Sequence, residues 1–194
     1  MTARGGAAVL VSWAGGAEGS RAAAAALACA GADPDRAGLM VELSDGRAPR
    51  PALVASVGAR RLEERLAAHL PEAGVAARGH ACHLALPAGP EGLDRVPAAL
   101  ALVRDATGVV HLPPSQLQAA LERIEPTAIV LRANLDRDRA LCALAVRGLM
   151  RHRGLRVAVL KRPLAWIPAR RALFGVLPAE SPDGLPARIL SLAA

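Results

Sequence analysis

The chain has few aromatic residues and no long apolar run. Its aromatic side chains are Trp13, Trp166 and Phe174, although 53% of the 194 residues are hydrophobic. The core is therefore predicted to be aliphatic, built from Ala, Leu and Val. Binding of single-stranded nucleic acid usually depends on stacked aromatics, so their scarcity argues against that class of function. The length suits one α/β domain, and we expect residues 1–194 to form a single domain.

Cysteines are also few, and their spacing shows no repeat. Cys29, Cys82 and Cys142 are an odd number, which argues against a disulfide framework and for a reducing compartment. The apolar run at residues 7–14 is too short to span a bilayer and is a minimal core for a signal peptide. We therefore expect a cytoplasmic protein, with peripheral contact to the inner membrane left open.

Lysine occurs once, at Lys161, and arginine supplies the other basic residues of a chain with net charge +7. This charge permits contact with nucleic acid, acidic lipid or acidic protein without choosing among them. From Arg139 to Ala179 there is no acidic residue. This segment is either a solvated face in an Arg-rich composition or a docking surface, for which we favour a protein or a membrane surface over nucleic acid. The candidate basic surface comprises Arg147, Arg151, Arg153, Arg156, Arg162, Arg170 and Arg171.

Short apolar segments alternate with helical segments along the chain. Strands are predicted at residues 7–13, 38–43, 80–86, 108–112, 127–132, 155–160 and 175–177. Helices are predicted at residues 18–30, 59–70, 91–103, 115–123, 136–153, 167–173 and 185–192, with Ser115 as the cap of the fourth. Continuously apolar strands alternating with helices indicate a doubly wound, mostly parallel sheet of six or seven strands in three α/β/α layers.

A glycine-rich turn joins the first strand to the first helix. Gly15, Gly16 and Gly19 lead directly into Ser20 and Arg21. Backbone N–H groups in such a turn and at a helix N-terminus can hold an anion without help from side chains. These five residues are therefore the candidate anion- or nucleotide-binding site. The alternative is a turn that only connects the strand to the helix.

In its order of elements the chain resembles the MinD/ParA group of P-loop ATPases, and within it the TadZ/CpaE-type proteins of pilus assembly and polar localisation. In that group the glycine-rich loop ends in Gly-Lys-Ser/Thr, where this chain has Gly19-Ser20-Arg21. The group's signature lysine, four residues before the last glycine, falls on Gly15. The resemblance covers roughly residues 7–45 and 108–181.

Three further positions depart from the group's pattern. An Asp-x-Asp motif ends the group's second strand, and here the matching residues are Glu42 and Ser44 with Leu43 between them. A later strand of the group ends in Asp-x-Pro-Pro, and here His111 takes the place of the Asp. Lys161 stands where the group often carries an Asn that contacts the base. The lysine, the magnesium-binding hydroxyl and the acidic positions are therefore altered together.

The resemblance with these losses implies a non-catalytic pseudo-ATPase that acts as a scaffold or localisation factor for a pilus or secretion-type assembly. No catalytic residue and no cofactor are expected, while binding of ATP or ADP without turnover stays open. A protein partner is expected, and a homodimer is compatible with the small residues of the loop. Phosphoryl transfer depends on neutralising charge on the phosphates, which is why the combined losses argue against turnover.

Two other classes of function remain open. One is a cofactor-binding enzyme on a Rossmann-like fold, with Glu42 holding a ribose, although Gly-Gly-x-x-Gly does not match the dinucleotide fingerprint. The other is a basic module that binds DNA or a membrane surface. His80, Cys82 and His83 lie close in sequence, but no second Cys/His pair follows, so no metal site is predicted. No serine lies in a Gly-x-Ser-x-Gly turn, so the sequence offers no nucleophile triad.

Overall fold

The computed structural model describes residues 8–13, 18–30, 32–44, 54–103, 106–132, 155–161 and 175–178, together with positions 49, 138 and 143. The predicted helices at residues 136–153, 167–173 and 185–192 lie outside the described residues, apart from two positions of the first. No helix in the described part of the chain is both long enough and apolar enough to cross a membrane.

Eight strands of the described residues form one sheet in the order β3-β4-β2-β5-β1-β6-β7-β8. All neighbouring pairs are parallel except β3 and β4, which pair antiparallel. The predicted α/β class with a mostly parallel sheet is confirmed. The strands are β1 Ala8–Trp13, β2 Gly38–Ser44, β3 Gly74–Arg78, β4 Ala81–Pro87, β5 Gly108–His111, β6 Ala128–Arg132, β7 Arg156–Lys161 and β8 Gly175–Pro178.

The prediction of six or seven strands missed β3. This strand is five residues long, is rich in alanine and lies at the edge of the sheet. Small side chains carry little β-propensity, so the strand depends on its antiparallel pairing with β4 rather than on its own sequence. The tight connection from Arg78 to Ala81 passes through Gly79, which has a positive φ of 57°.

Four α-helices are described: α1 Glu18–Ala30, α2 Val57–His69, α3 Pro90–Ala101 and α4 Leu117–Arg123. The predicted bounds of α1 are confirmed, and those of α2 and α3 are shifted by one or two residues. The prediction that Ser115 caps α4 is wrong, because Ser115 lies inside a short 3₁₀ turn at Pro114–Gln116 and no side chain caps α4. Prolines fix φ near the value that a helical turn needs, so Pro113-Pro114 starts this turn without a side-chain cap.

The two faces of the sheet are covered by different helices. Alternation along β1 sends Leu10 into a core with α2, α3 and α4, while Val9 and Val11 pack in a second core with Leu27 of α1. The other central strands divide their side chains in the same way, which gives three layers. Because α1 follows β1 in the chain, the N-terminus of α1 lies at the carboxyl ends of the parallel strands.

The C-terminal half of α1 packs tightly against the start of β2. A Cβ at Gly38 would overlap the carbonyl oxygen of Ala28, so the closeness of this contact requires glycine. The adjacent side chains of α1 are small, and Ala24 and Ala28 are fully buried. This contact fixes the direction of α1 and therefore sets where its first turn, with Ser20 and Arg21, meets the strand ends.

Candidate functional site

The first turn of α1 meets the carboxyl ends of β1, β2 and β5. In the sheet register, His111 of β5 pairs with Val11 on one side and with Glu42 on the other. Alternation along these strands directs Glu42 and His111 to the face covered by α1. Ligands of open α/β sheets bind outside the carboxyl ends of the strands, so the location of Glu42 and His111 fits a binding site.

Glu42 lies at these strand ends and accepts hydrogen bonds from two neighbouring side chains. Its Oε1 accepts a hydrogen bond from Nε of Arg21 at 2.6 Å, and its Oε2 accepts one from Nε2 of His83 at 3.0 Å. The Glu42 side chain is 7% exposed, whereas that of Arg21 is 49% exposed. Burial raises the pKa of Glu42, but the hydrogen bonds from His83 and Arg21 outweigh burial and hold its pKa below the usual range. Glu42 is therefore a buried carboxylate that stays charged.

Ser20 and His111 form a second buried contact. Ser20 Oγ lies 2.9 Å from Nε2 of His111, and both residues are fully buried. Burial lowers the pKa of His111 from 6.5 to about 4, against the opposing effect of nearby Glu42 and together with the charge of Arg21. The imidazole is therefore neutral near pH 7, and Nε2 can accept the hydroxyl proton of Ser20 in a hydrogen bond.

His111 Nδ1 faces Glu42 but lies beyond hydrogen-bond distance of it. The separation from Nδ1 to Oε1 of Glu42 is 3.8 Å. Nδ1 has no hydrogen-bond partner among the described residues, although it is buried. On its flat face the imidazole stacks on Trp13, with ring centroids 4.2 Å apart and ring planes at 15°. The ring of His111 is thus held between Trp13, Ser20 and Glu42.

Four of the residues chosen from the sequence therefore converge: Ser20, Arg21, Glu42 and His111. Ser44, also chosen, ends β2 half-buried, and its carbonyl accepts a hydrogen bond from the Ala88 N–H at 3.1 Å. Among the remaining candidates, Gly19 lies in the first turn of α1, Lys161 ends β7 and Arg156 begins it. Gly15, Gly16, Arg147, Arg151, Arg153, Arg162, Arg170 and Arg171 lie outside the described residues.

Sequence reasoning missed Trp13 and His83 as members of this cluster. Cys82 and His83 do lie on opposite faces of β4, as alternation predicts, with Cys82 in the core beneath α2 and α3. His80 precedes β4 and is exposed. Nothing local shows that His83 meets Glu42, because the contact depends on β4 lying beside β2. In the described part of the chain, no group of three or more His, Cys, Asp or Glu side chains is placed to hold a metal ion.

In space, Ser20, His111 and Glu42 follow one another as the serine, histidine and carboxylate of a hydrolase triad do. The hydroxyl contacts one imidazole nitrogen, and the carboxylate lies beyond the other, as in hydrolase triads. Two features oppose turnover in this arrangement: Ser20 has no exposed surface, and the 3.8 Å from His111 to Glu42 is too long for a hydrogen bond. No sequence motif indicates this arrangement, because Ser20 is not in a nucleophile-elbow motif.

No protein-family model matches this chain, and its sequence matches no curated protein.

Proposed function

We propose that this chain is a non-catalytic, MinD/ParA-like scaffold or localisation factor, with no ATP turnover of its own. The observation that carries the proposal is that four of the altered motif positions contact one another. Arg21 is paired with Glu42, and Ser20 contacts His111. Side chains that would have to meet phosphate and magnesium in an active enzyme instead contact each other.

The electrostatics of the cluster support this proposal. Mg²⁺ prefers hard oxygen ligands, and a neutral imidazole at His111 is a poor substitute for a carboxylate. Glu42 is a carboxylate, but Arg21 and His83 already occupy both of its oxygens. Drawing Arg21 towards a phosphate would remove a counter-charge from a buried carboxylate, which costs about 1–3 kcal/mol because Arg21 itself is half exposed.

A hydrolysis assay on the full chain tests the absence of turnover. Phosphate release from ATP with Mg²⁺ is compared between the wild type and Ser20→Ala. We expect background rates that are equal in both proteins. Turnover above background that disappears in Ser20→Ala would overturn the proposal, because Ser20 would then act on the nucleotide.

The scaffold role is tested by the nucleotide dependence of partner binding. The tagged chain is crosslinked in its native cells and purified with ATP, with ADP or after nucleotide depletion. A scaffold without a nucleotide cycle is expected to retain the same partners, here those of a pilus or secretion-type assembly, in all three conditions. Partners whose binding differs between ATP, ADP and nucleotide depletion would indicate a nucleotide-dependent switch instead.

A serine-nucleophile enzyme is the second candidate, favoured by the 2.9 Å contact between Ser20 and a neutral His111. Such an enzyme would need motion that exposes Ser20 and shortens the distance from His111 to Glu42. A fluorophosphonate probe followed by peptide mapping tests it directly. Stoichiometric labelling of Ser20 that is lost in His111→Gln would establish the enzyme, and no labelling of Ser20 would exclude it.

A further inference from the structure

A groove of about 780 Å³ runs along α1 on the side away from β1. Its first wall is one face of α1, where small side chains recur at helical spacing. Its second wall is formed by the end of β3, the turn at Gly79 and the start of β4. Met40 and Ala81 contribute to the floor between these walls. Ser20, Glu42 and His111 do not line the groove, whereas Arg21 and His83 line it and also contact Glu42.

The α1 wall permits close approach by another backbone. Ala22, Ala25, Ala26 and Cys29 line it at positions i, i+3, i+4 and i+7 of the helix. No side chain in this row is larger than cysteine, so a second helix could pack against α1 at short interaxial distance. From Arg21 to Cys29 the wall extends about 12 Å, which is a little over two helical turns.

Arginine side chains lie at both ends of the groove. Arg21, which pairs with Glu42 but is 49% exposed, borders the end near the first turn of α1, and exposed Arg78 borders the end near Cys29. No acidic residue is among those that line the groove. An occupant that matches this surface carries a carboxylate at each end and small apolar side chains between them. A second copy of the chain fits poorly, because its net charge is +7.

The layers of the sheet favour a helix as the occupant. In the described part of the chain, α1 alone packs on this face of the sheet, whereas α2, α3 and α4 pack on the other. A helix seated beside α1 would extend the outer layer over β4, in the way that helices cover both faces of mostly parallel sheets.

From these observations we propose that the groove between α1 and the β3–β4 end of the sheet binds an acidic amphipathic helix of a partner protein. The helix presents two acidic residues seven or eight positions apart, with small apolar residues between them. One carboxylate meets Arg21 and the other meets Arg78. This proposal goes beyond the absence of turnover and does not depend on it.

Peptide display on the full chain tests the sequence of the occupant. A library of 14-residue helical peptides is selected against the wild type, and the strongest binder is synthesised with a fluorescent label. We expect enriched peptides to be acidic with the stated spacing. Enrichment of basic or unpatterned peptides, or no enrichment at all, would overturn the proposal.

Two variants separate the shape of the groove from its charge. Ala25→Arg fills the middle of the groove while keeping it basic, and Arg78→Glu keeps its shape while reversing one end. Exposed positions of α2, on the opposite face, supply the matched controls Ala67→Arg and Arg60→Glu. Fluorescence anisotropy is expected to show at least tenfold weaker binding for each groove variant and unchanged binding for each control. Equal binding by wild type and Ala25→Arg would place the peptide elsewhere and overturn the proposal.

Cys29 provides an internal reporter of occupancy. It is exposed in the groove wall, whereas Cys82 is buried and burial raises its pKa to about 12. Alkylation followed by peptide mapping measures the two thiols in one sample. The selected peptide is expected to slow modification of Cys29 several-fold in the wild type and not in Ala25→Arg. Protection that persists in Ala25→Arg would contradict binding in the groove.

Discussion

Nε of Arg21 donates a hydrogen bond to Oε1 of Glu42 at 2.6 Å, and this bond ties the first turn of α1 to the end of β2. Glu42 is almost fully buried, so a large part of its charge compensation comes from this guanidinium. The pair lies where the resemblance to P-loop ATPases would place a magnesium hydroxyl and a catalytic acid.

Removing Arg21 should destabilise the protein through Glu42. In Arg21→Ala the carboxylate keeps His83 but loses its closer donor, and we expect a loss of about 1–3 kcal/mol in the free energy of unfolding. Urea denaturation at pH 7 measures this loss. Arg21→Ala/Glu42→Gln should recover part of it, because a neutral amide needs no counter-charge. Arg60→Ala, on an exposed face of α2, is the control, and an equal effect of both alanine variants would refute the pair's role.

His111 should make stability fall as the solution is acidified. Its folded-state pKa of about 4 lies below the unfolded value of 6.5, so the unfolded chain takes up the proton first. Stability is therefore expected to decline from pH 6.5 towards pH 4, by about 3 kcal/mol in total. Urea denaturation at pH 7, 6 and 5 follows the decline. His111→Gln lacks this titration and should show a shallower slope over the same range; parallel slopes would contradict the assignment.

Alanine substitutions at Gly38 and Gly79 are expected to destabilise the protein by different amounts. Gly38→Ala should cost several kcal/mol, because the added Cβ meets backbone that cannot move aside. Gly79→Ala should cost only about 1–2 kcal/mol, since its positive φ is strained for alanine but no atom lies within 4 Å of the new Cβ. Thermal unfolding of both variants ranks them. A milder effect at Gly38 than at Gly79 would show that α1 is packed less closely than described.

Much of the fold could be predicted from the sequence because its central strands are strongly apolar. The run AAVLVSW followed by Glu18–Ala30 gave the first strand and the bounds of α1. By contrast, β3 was missed because its residues favour a strand only when paired with β4. Serine is a common helix cap, so the sequence predicts a cap at Ser115. The preceding prolines, however, already start the 3₁₀ turn in which Ser115 lies.

The candidate site was predictable in part for a related reason. Ser20, Arg21, Glu42 and His111 all stand at strand ends or at the start of a helix, and parallel strands bring such positions together. His83 lies inside its strand, and its contact with Glu42 depends on the order β4-β2-β5 of the sheet, which is not the order of the chain. That the four residues bind one another depends on side-chain geometry, which no motif encodes.

The most direct test of the central claim is a thermal-shift measurement with Mg²⁺ and ATP or ADP, with NAD and S-adenosylmethionine as further ligands. A ligand that binds only the folded state raises the melting temperature, by an amount that grows with the logarithm of its concentration above Kd. Because Arg21 pairs with Glu42 and Ser20 with His111, we predict no change in the melting temperature with ATP or ADP up to millimolar concentrations. A rise that grows with the concentration of either nucleotide and is weakened in Ser20→Ala would contradict the account.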